Sequence, residues 1–244
     1  MAAPDESPFD PAHVILLVER DASSIAPFVN ELAGKEEIPE QLPLPRIAMT
    51  VNGVKLDLSI AAAPLRSDLL GFALATSPLR STLEPVVAQH RAHVRILAAR
   101  QDAFAVQGAL TAATARLASR DDVGAVLLPH QEALTTDVMY VGETIQRPAL
   151  TWFRTNAAQA GDGTSIAFTR GLWAMGGRDV VLPGAPWDPA ETFAALRAGV
   201  AAVLEDGRLP REGETIDVAG APHALAPGVD PIDGRAVLTL AAVR

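Results

Sequence analysis

Asn52-Gly53 stands between two alternating apolar runs, Ile47 to Val51 and Val54 to Ile60. Asn and Gly tolerate the two successive positive φ angles of a two-residue hairpin turn. Folding the chain there pairs Val51 with Val54, Met49 with Leu56 and Ile47 with Leu58. All six then fall on one face, with Lys55 and Asp57 on the other. A hairpin specified by turn, register and burial together argues for antiparallel pairing and against a strictly alternating parallel α/β fold.

A second constraint is a phrase that occurs twice. Ala12-His-Val-Ile-Leu-Leu-Val-Glu-Arg20 reads almost like Ala92-His-Val-Arg-Ile-Leu-Ala-Ala-Arg100. The first copy is apolar nearly throughout, as a central strand covered on both faces would be. An amphipathic helical segment follows each copy. Ser23 or Ser24 can cap one through about Leu32, with Ile25, Phe28, Val29 and Leu32 on one stripe and Gly34 as its stop. Val106, Leu110, Ala113 and Leu117 mark the other, over 103–119.

Further short helices are expected around Leu65–Phe72 and Ser81–His90. Strands are expected at Val123–Leu128, Ala149–Arg154, Ser165–Thr169, Asp179–Leu182, Thr215–Val218 and Ala236–Ala242. The last helix is marked by an Asp188 cap, Pro189 at its first position and Glu191 in a capping-box-like place. Its apolar stripe is Phe193, Leu196, Val200 and Val203, and Gly207 ends it.

Hairpins mixed with crossovers predict an α+β fold with helices packed on a largely antiparallel sheet. The repeat predicts two similar strand-helix-strand units, ferredoxin-like or split βαβ, built by duplication. The expected division is a disordered tail at 1–10, an N-terminal half at 11–89 and a C-terminal half at 90–244.

Composition excludes several functions. The chain has no cysteine, which removes disulfides, thiolate catalysis and thiolate metal sites. With 29 acidic against 20 basic residues the formal charge is -9, and no basic run exceeds two residues, so nucleic acid is an unfavourable partner. A basic protein partner is compatible with that charge. No apolar run reaches the length of a membrane span, and the acidic, Pro-containing start does not read as a signal peptide. A cytoplasmic location is the expectation.

Catalytic signatures are lacking. There is no Gly-x-Ser-x-Gly elbow, Walker A loop or Gly-x-Gly-x-x-Gly. His90 and His93 have metal-like spacing, but one ends a predicted helix and the other begins a strand. They read as histidines whose ring nitrogens cap backbone groups, with no metal and no cofactor. The acidic pairs Glu36-Glu37, Asp121-Asp122 and Glu205-Asp206 border predicted loops and read as solvated charge.

The most distinctive string is Thr169-Arg170-Gly-Leu-Trp173-Ala-Met-Gly176-Gly177, just beyond a strand. Glycines allow close approach and tryptophan offers stacking area, so Arg170 and Trp173 are candidate binding residues. The alternative is a strand-to-bend corner with Trp173 plugging the core. His93 and Glu143 complete the candidate set.

The string Thr169-x-Gly171-Leu172-x-x-x-Gly176, the strand Val180–Leu182, the following helix and Gly213-Glu-Thr-Ile216 together resemble the bacterial domain family DUF4261. The similarity extends over residues 90–218 and includes Ala-His-Val at 92–94. It implies an α+β bacterial protein and supplies no catalytic residue. A non-enzymatic cytoplasmic protein that binds another protein follows as the leading expectation, in an immunity-like or adaptor role beside a toxin or secretion system. The alternative is a small-molecule-binding protein or enzyme with a pocket between the halves, and a homo-oligomer is also compatible with the sequence.

Overall fold

The computed structural model describes residues 13–32, 44–99 and 101–243. The expected tail at 1–10, Gly34, Glu36-Glu37 and Arg100 lie outside them, as do the side chains of Phe28 and Leu32 and all but the last two residues of the expected loop at 35–45. The fold is α+β, with two sheets dominated by antiparallel pairing. No helix among the described residues is long and apolar enough to cross a membrane.

The chain divides into two compact units, one of residues up to 129 together with 133–141, the other of 130–132 and 142–244. In the first unit β1 (His13–Val18) leads through α1 (Ala22–Leu32) to the hairpin β2 (Leu44–Val51) and β3 (Val54–Ala61). Helices α2 (Asp68–Ala75) and α3 (Arg80–Gln89) precede β4 (Ala92–Ala98). Then come α4 (Ala103–Ala118), β5 (Val123–Leu128) and β6 (Ala133–Thr136). The sheet order is β2-β3-β4-β1-β5-β6, with every neighbouring pair antiparallel.

The hairpin forms in the register read from the sequence: Val51 faces Val54, Met49 faces Leu56 and Ile47 faces Leu58. Asn52 and Gly53 have φ of 50° and 81°, as the turn requires.

The two copies of the repeated phrase are neighbours. β1 and β4 run antiparallel at the centre of one sheet, with Leu16 opposite Val94 and Leu17 opposite His93. The repeat therefore does not mark equivalent strands of two separate halves. The boundary expected at 89/90 would cut β4 from β1 and β3, the strands that hold it on either side. What the second copy does build is a split βαβ unit, since β4 and β5 flank β1, both antiparallel to it, and α4 connects them.

Burial explains the near-continuous apolar run of β1. Val14, Leu16 and Val18 pack into a core shared with Ile25 of α1 and Val106, Leu110 and Leu117 of α4. Ile15 and Leu17 point the other way, into a second core with Leu70 and Ala73 of α2 and Leu83 of α3. Each face thus has its own layer of helices.

α5 (Asp137–Gln146) follows β6, and its chain passes from the first unit into the second. The second unit contains β7 (Arg154–Gln159), β8 (Ser165–Arg170), β9 (Val180–Ala185), α6 (Pro189–Glu205), β10 (Thr215–Val218), β11 (Ala221–Val229) and β12 (Ala236–Ala242). Their order is β10-β11-β12-β9-β8-β7, antiparallel except for the parallel pair β12 and β9. The strand expected at 149–154 begins only at Arg154, because Pro148–Thr151 close a 3-10 turn. β11 has no counterpart among the expected strands, since Pro222 and Pro227 lie within it.

α6 begins as its sequence dictates. The Asp188 carboxylate accepts the Glu191 N–H at 2.8 Å and Pro189 occupies the first position. Leu196, Val200 and Val203 are buried, and Gly207, at φ 72°, ends the helix.

Candidate functional site

The distinctive string at 169–177 folds into a corner between β8 and β9. Gly171, at φ 108°, lets the chain leave the strand. A methyl group there would stand 2.8 Å from the Gln131 side chain, so no larger residue fits. A short 3-10 turn, Leu172–Met175, buries Leu172 and Met175 and leaves Trp173 37% exposed. Trp173 is therefore not the core plug. Its ring meets His130 edge-on, with centroids 5.1 Å apart.

Asp179 locks this corner. Its carboxylate accepts the Leu172 N–H at 3.1 Å and the Thr169 hydroxyl at 3.2 Å, and the Thr169 oxygen in turn accepts the Val180 N–H. Burial raises the Asp179 carboxyl to about 6, although these hydrogen bonds and the nearby Arg170 guanidinium pull it down.

Arg170 is buried and ion-paired. Its guanidinium donates to Asp230 at 2.6 Å and Asp233 at 3.1 Å, and lies 4.6 Å from the centre of the Phe168 ring. These bonds pin the β11–β12 loop to β8. Burial pushes the Asp230 carboxyl up, but hydrogen bonds from the Ile232 N–H and from Arg170 outweigh it and hold the group below its ordinary value.

Arg154 sits opposite Arg170 in the β7–β8 register, and donates to the Glu132 carbonyl at 2.8 Å. Burial lowers its guanidinium from the ordinary value. Arg235 closes the network, pairing with Asp233 at 3.1 Å and Glu132 at 3.4 Å.

The candidates of the sequence do not assemble into one site. Arg170 and Trp173 share the corner. Glu143 of α5 is ion-paired with Arg197 of α6. His93 lies in the first unit, where its Nδ1 stands 3.0 Å from the Ala63 carbonyl oxygen. Burial lowers its imidazole from the ordinary value, against the Ala63 hydrogen bond. The neighbouring His90 has both ring nitrogens on backbone groups, Nε2 on the Leu65 N–H at 2.8 Å and Nδ1 on the Val87 carbonyl at 2.7 Å. Among the described residues no group of three metal-ligating side chains converges.

A concave surface lies elsewhere in the second unit, on the outer face of α6. Ala194, Ala195, Ala198, Gly199 and Ala202 form the floor of a groove of about 620 Å³. Trp187 stands at the N-terminal end of the helix, and Asp217 of β10 with Ala219 and Gly220 of the β10–β11 turn form a wall. Gly199 sets the closeness of that wall, since a methyl group there would lie 2.5 Å from the Asp217 carbonyl oxygen. Ala219, at φ 55°, and Gly220, at φ 78°, make the turn.

Two carboxylates edge this apolar surface. Glu191 has no side-chain hydrogen bond or ion pair among the described residues, and Asp217 accepts only the Gly220 N–H, at 2.9 Å. The buried stripe of α6 dominates its sequence pattern, and the groove lies on the opposite side. The signal was present as small residues at 194, 195, 198, 199 and 202, which recur at helical spacing.

Fold and site together define an α+β protein with a mostly apolar, acid-edged groove on one helix and a buried ionic corner. Comparison with protein-family models, curated proteins and solved structures returns no match, so the likeness to DUF4261 rests on the residues quoted for it.

Proposed function

We propose that this chain is a non-enzymatic binding protein, and that it holds another protein through the groove on α6. The observation carrying this reading is an apolar concavity edged by carboxylates that have no cation beside them. Recognition surfaces commonly combine an apolar centre with a charged rim. The ionic groups of the β8–β9 corner, by contrast, are engaged in holding loops and turns. An adaptor or immunity-like role, in which an acidic protein covers a basic surface, is the concrete form.

The test is quantitative affinity purification from the native host with the wild type and Ala198→Phe. Ala198 is exposed, so phenylalanine fills the groove without entering the core. A protein enriched by the wild type and lost with the variant is expected. Equal recovery with both, or enrichment of nothing, refutes the reading. A small molecule is the second reading, because the volume lies within the range of ligand pockets, about 300–1,000 Å³.

A further inference from the structure

Resting on that reading, we infer that the occupant of the α6 groove is an amphipathic helix carrying basic residues beside its apolar seam. The floor of the groove is helix surface made of methyl groups. The backbone beneath it is committed to its own intrahelical bonds and offers no row of free N–H and C=O groups for an added strand, and the edge strand beside it, β10, is only 4 residues long. An extended peptide on such a floor would leave its own backbone groups unpaired over apolar surface, whereas a helix brings its hydrogen bonds with it.

The dimensions agree. From Glu191 to Ala202 the floor runs for three turns of α6, about 16 Å. Alanine at 194, 195 and 198 lets a second helix approach near the lower limit of interaxial distances, about 8 Å.

Charge selects the sign of the flanks. Glu191 and Asp217 edge the groove without a cation on either, and the chain carries a net charge of -9. Lysine or arginine beside the seam of the occupant meets them, and acidic flanks are repelled.

Three synthetic peptides of about 18 residues test this, long enough to hold a helix. They share one Ala/Leu seam and carry Lys, Gln or Glu at the flanks, and binding to the full chain is read by fluorescence anisotropy. The Lys peptide is expected to bind, to gain helical circular dichroism on binding, and to weaken about tenfold or more against Glu191→Lys/Asp217→Lys. Ala198→Phe is expected to abolish its binding, with unchanged thermal unfolding showing that the variant is folded. Equal binding of the Lys and Glu peptides, both lost with Ala198→Phe, overturns the inference and leaves the groove as a binding site. Binding that survives Ala198→Phe places the peptides elsewhere and removes support from both. No binding by any of the three overturns the helical occupant, while the affinity purification still decides the wider reading.

Discussion

Asp179→Asn combined with a pH series measures what a buried carboxylate does to the second unit. The Asp179 carboxyl is raised from 3.8 to about 6, chiefly by burial. The folded state therefore holds this proton more tightly than the unfolded chain does. At about 1.4 kcal/mol per pH unit, the ionised group disfavours folding by about 3 kcal/mol at neutral pH. That penalty is absent below about pH 4, grows as pH rises through the window up to about 6, and is constant above it.

Asparagine has the same shape and no such proton. Whatever the amide changes in hydrogen bonding is nearly independent of pH. The stability of the variant minus that of the wild type should therefore rise by about 3 kcal/mol between about pH 4 and pH 7, whatever its absolute sign. Urea unfolding followed by tryptophan fluorescence reads the relevant unit, because the three tryptophans, Trp152, Trp173 and Trp187, all lie in it. A difference that stays flat, within about 0.5 kcal/mol, from pH 4 to pH 8 would refute the reasoning.

Three further substitutions probe the same unit. Arg170→Ala leaves the fully buried Asp230 carboxylate without its cation and should destabilise by about 3–5 kcal/mol in the same urea assay; a loss below about 1 kcal/mol would mean that the ion pair is not what holds the loop. Gly199→Ala should lower stability by about 1–3 kcal/mol, because its methyl group meets the Asp217 carbonyl oxygen; the gain of about 1 kcal/mol usual for alanine in a helix would contradict the close packing. Ala219→Asn should raise the thermal midpoint, worth about 0.5–1 kcal/mol, by placing at φ 55° a residue that tolerates it; an unchanged or lower midpoint would count against strain in that turn.

What could be read from the sequence was local. The Asn52-Gly53 hairpin, the Asp188–Pro189 start of α6 and the covering of β1 on both faces depend on residues close together or on a single strand's pattern, and all appear in the structure. Pairing between distant segments was not legible. The similarity of the two Ala-His-Val strands suggested equivalence in separate halves, while the structure hydrogen-bonds them to each other. Arg170 stood out as a polar residue beside glycines, but its partners, Asp230 and Asp233, lie sixty and more residues further on, and they turn a candidate ligand contact into a buried brace. The groove escaped notice for a different reason. Its floor is alanine and glycine, which carry no chemical signal of their own until a turn from another part of the chain stands beside them.

The central place of β1 also governs when it can be covered. Its neighbours on either side are β4 and β5, made much later in the chain, whereas β2 and β3 pair with each other at once. At about 5–20 residues per second, synthesis from Val18 to Val123 takes about 5–20 s. Until Ala98 is made the strand His-Val-Ile-Leu-Leu-Val has both hydrogen-bonding edges unfilled, and until β5 is made it still has one. The nascent chain is consequently most exposed to aggregation before residue 98 appears, and folding of the first unit waits on long-range closure. The strand order itself thus predicts slow refolding of the first unit.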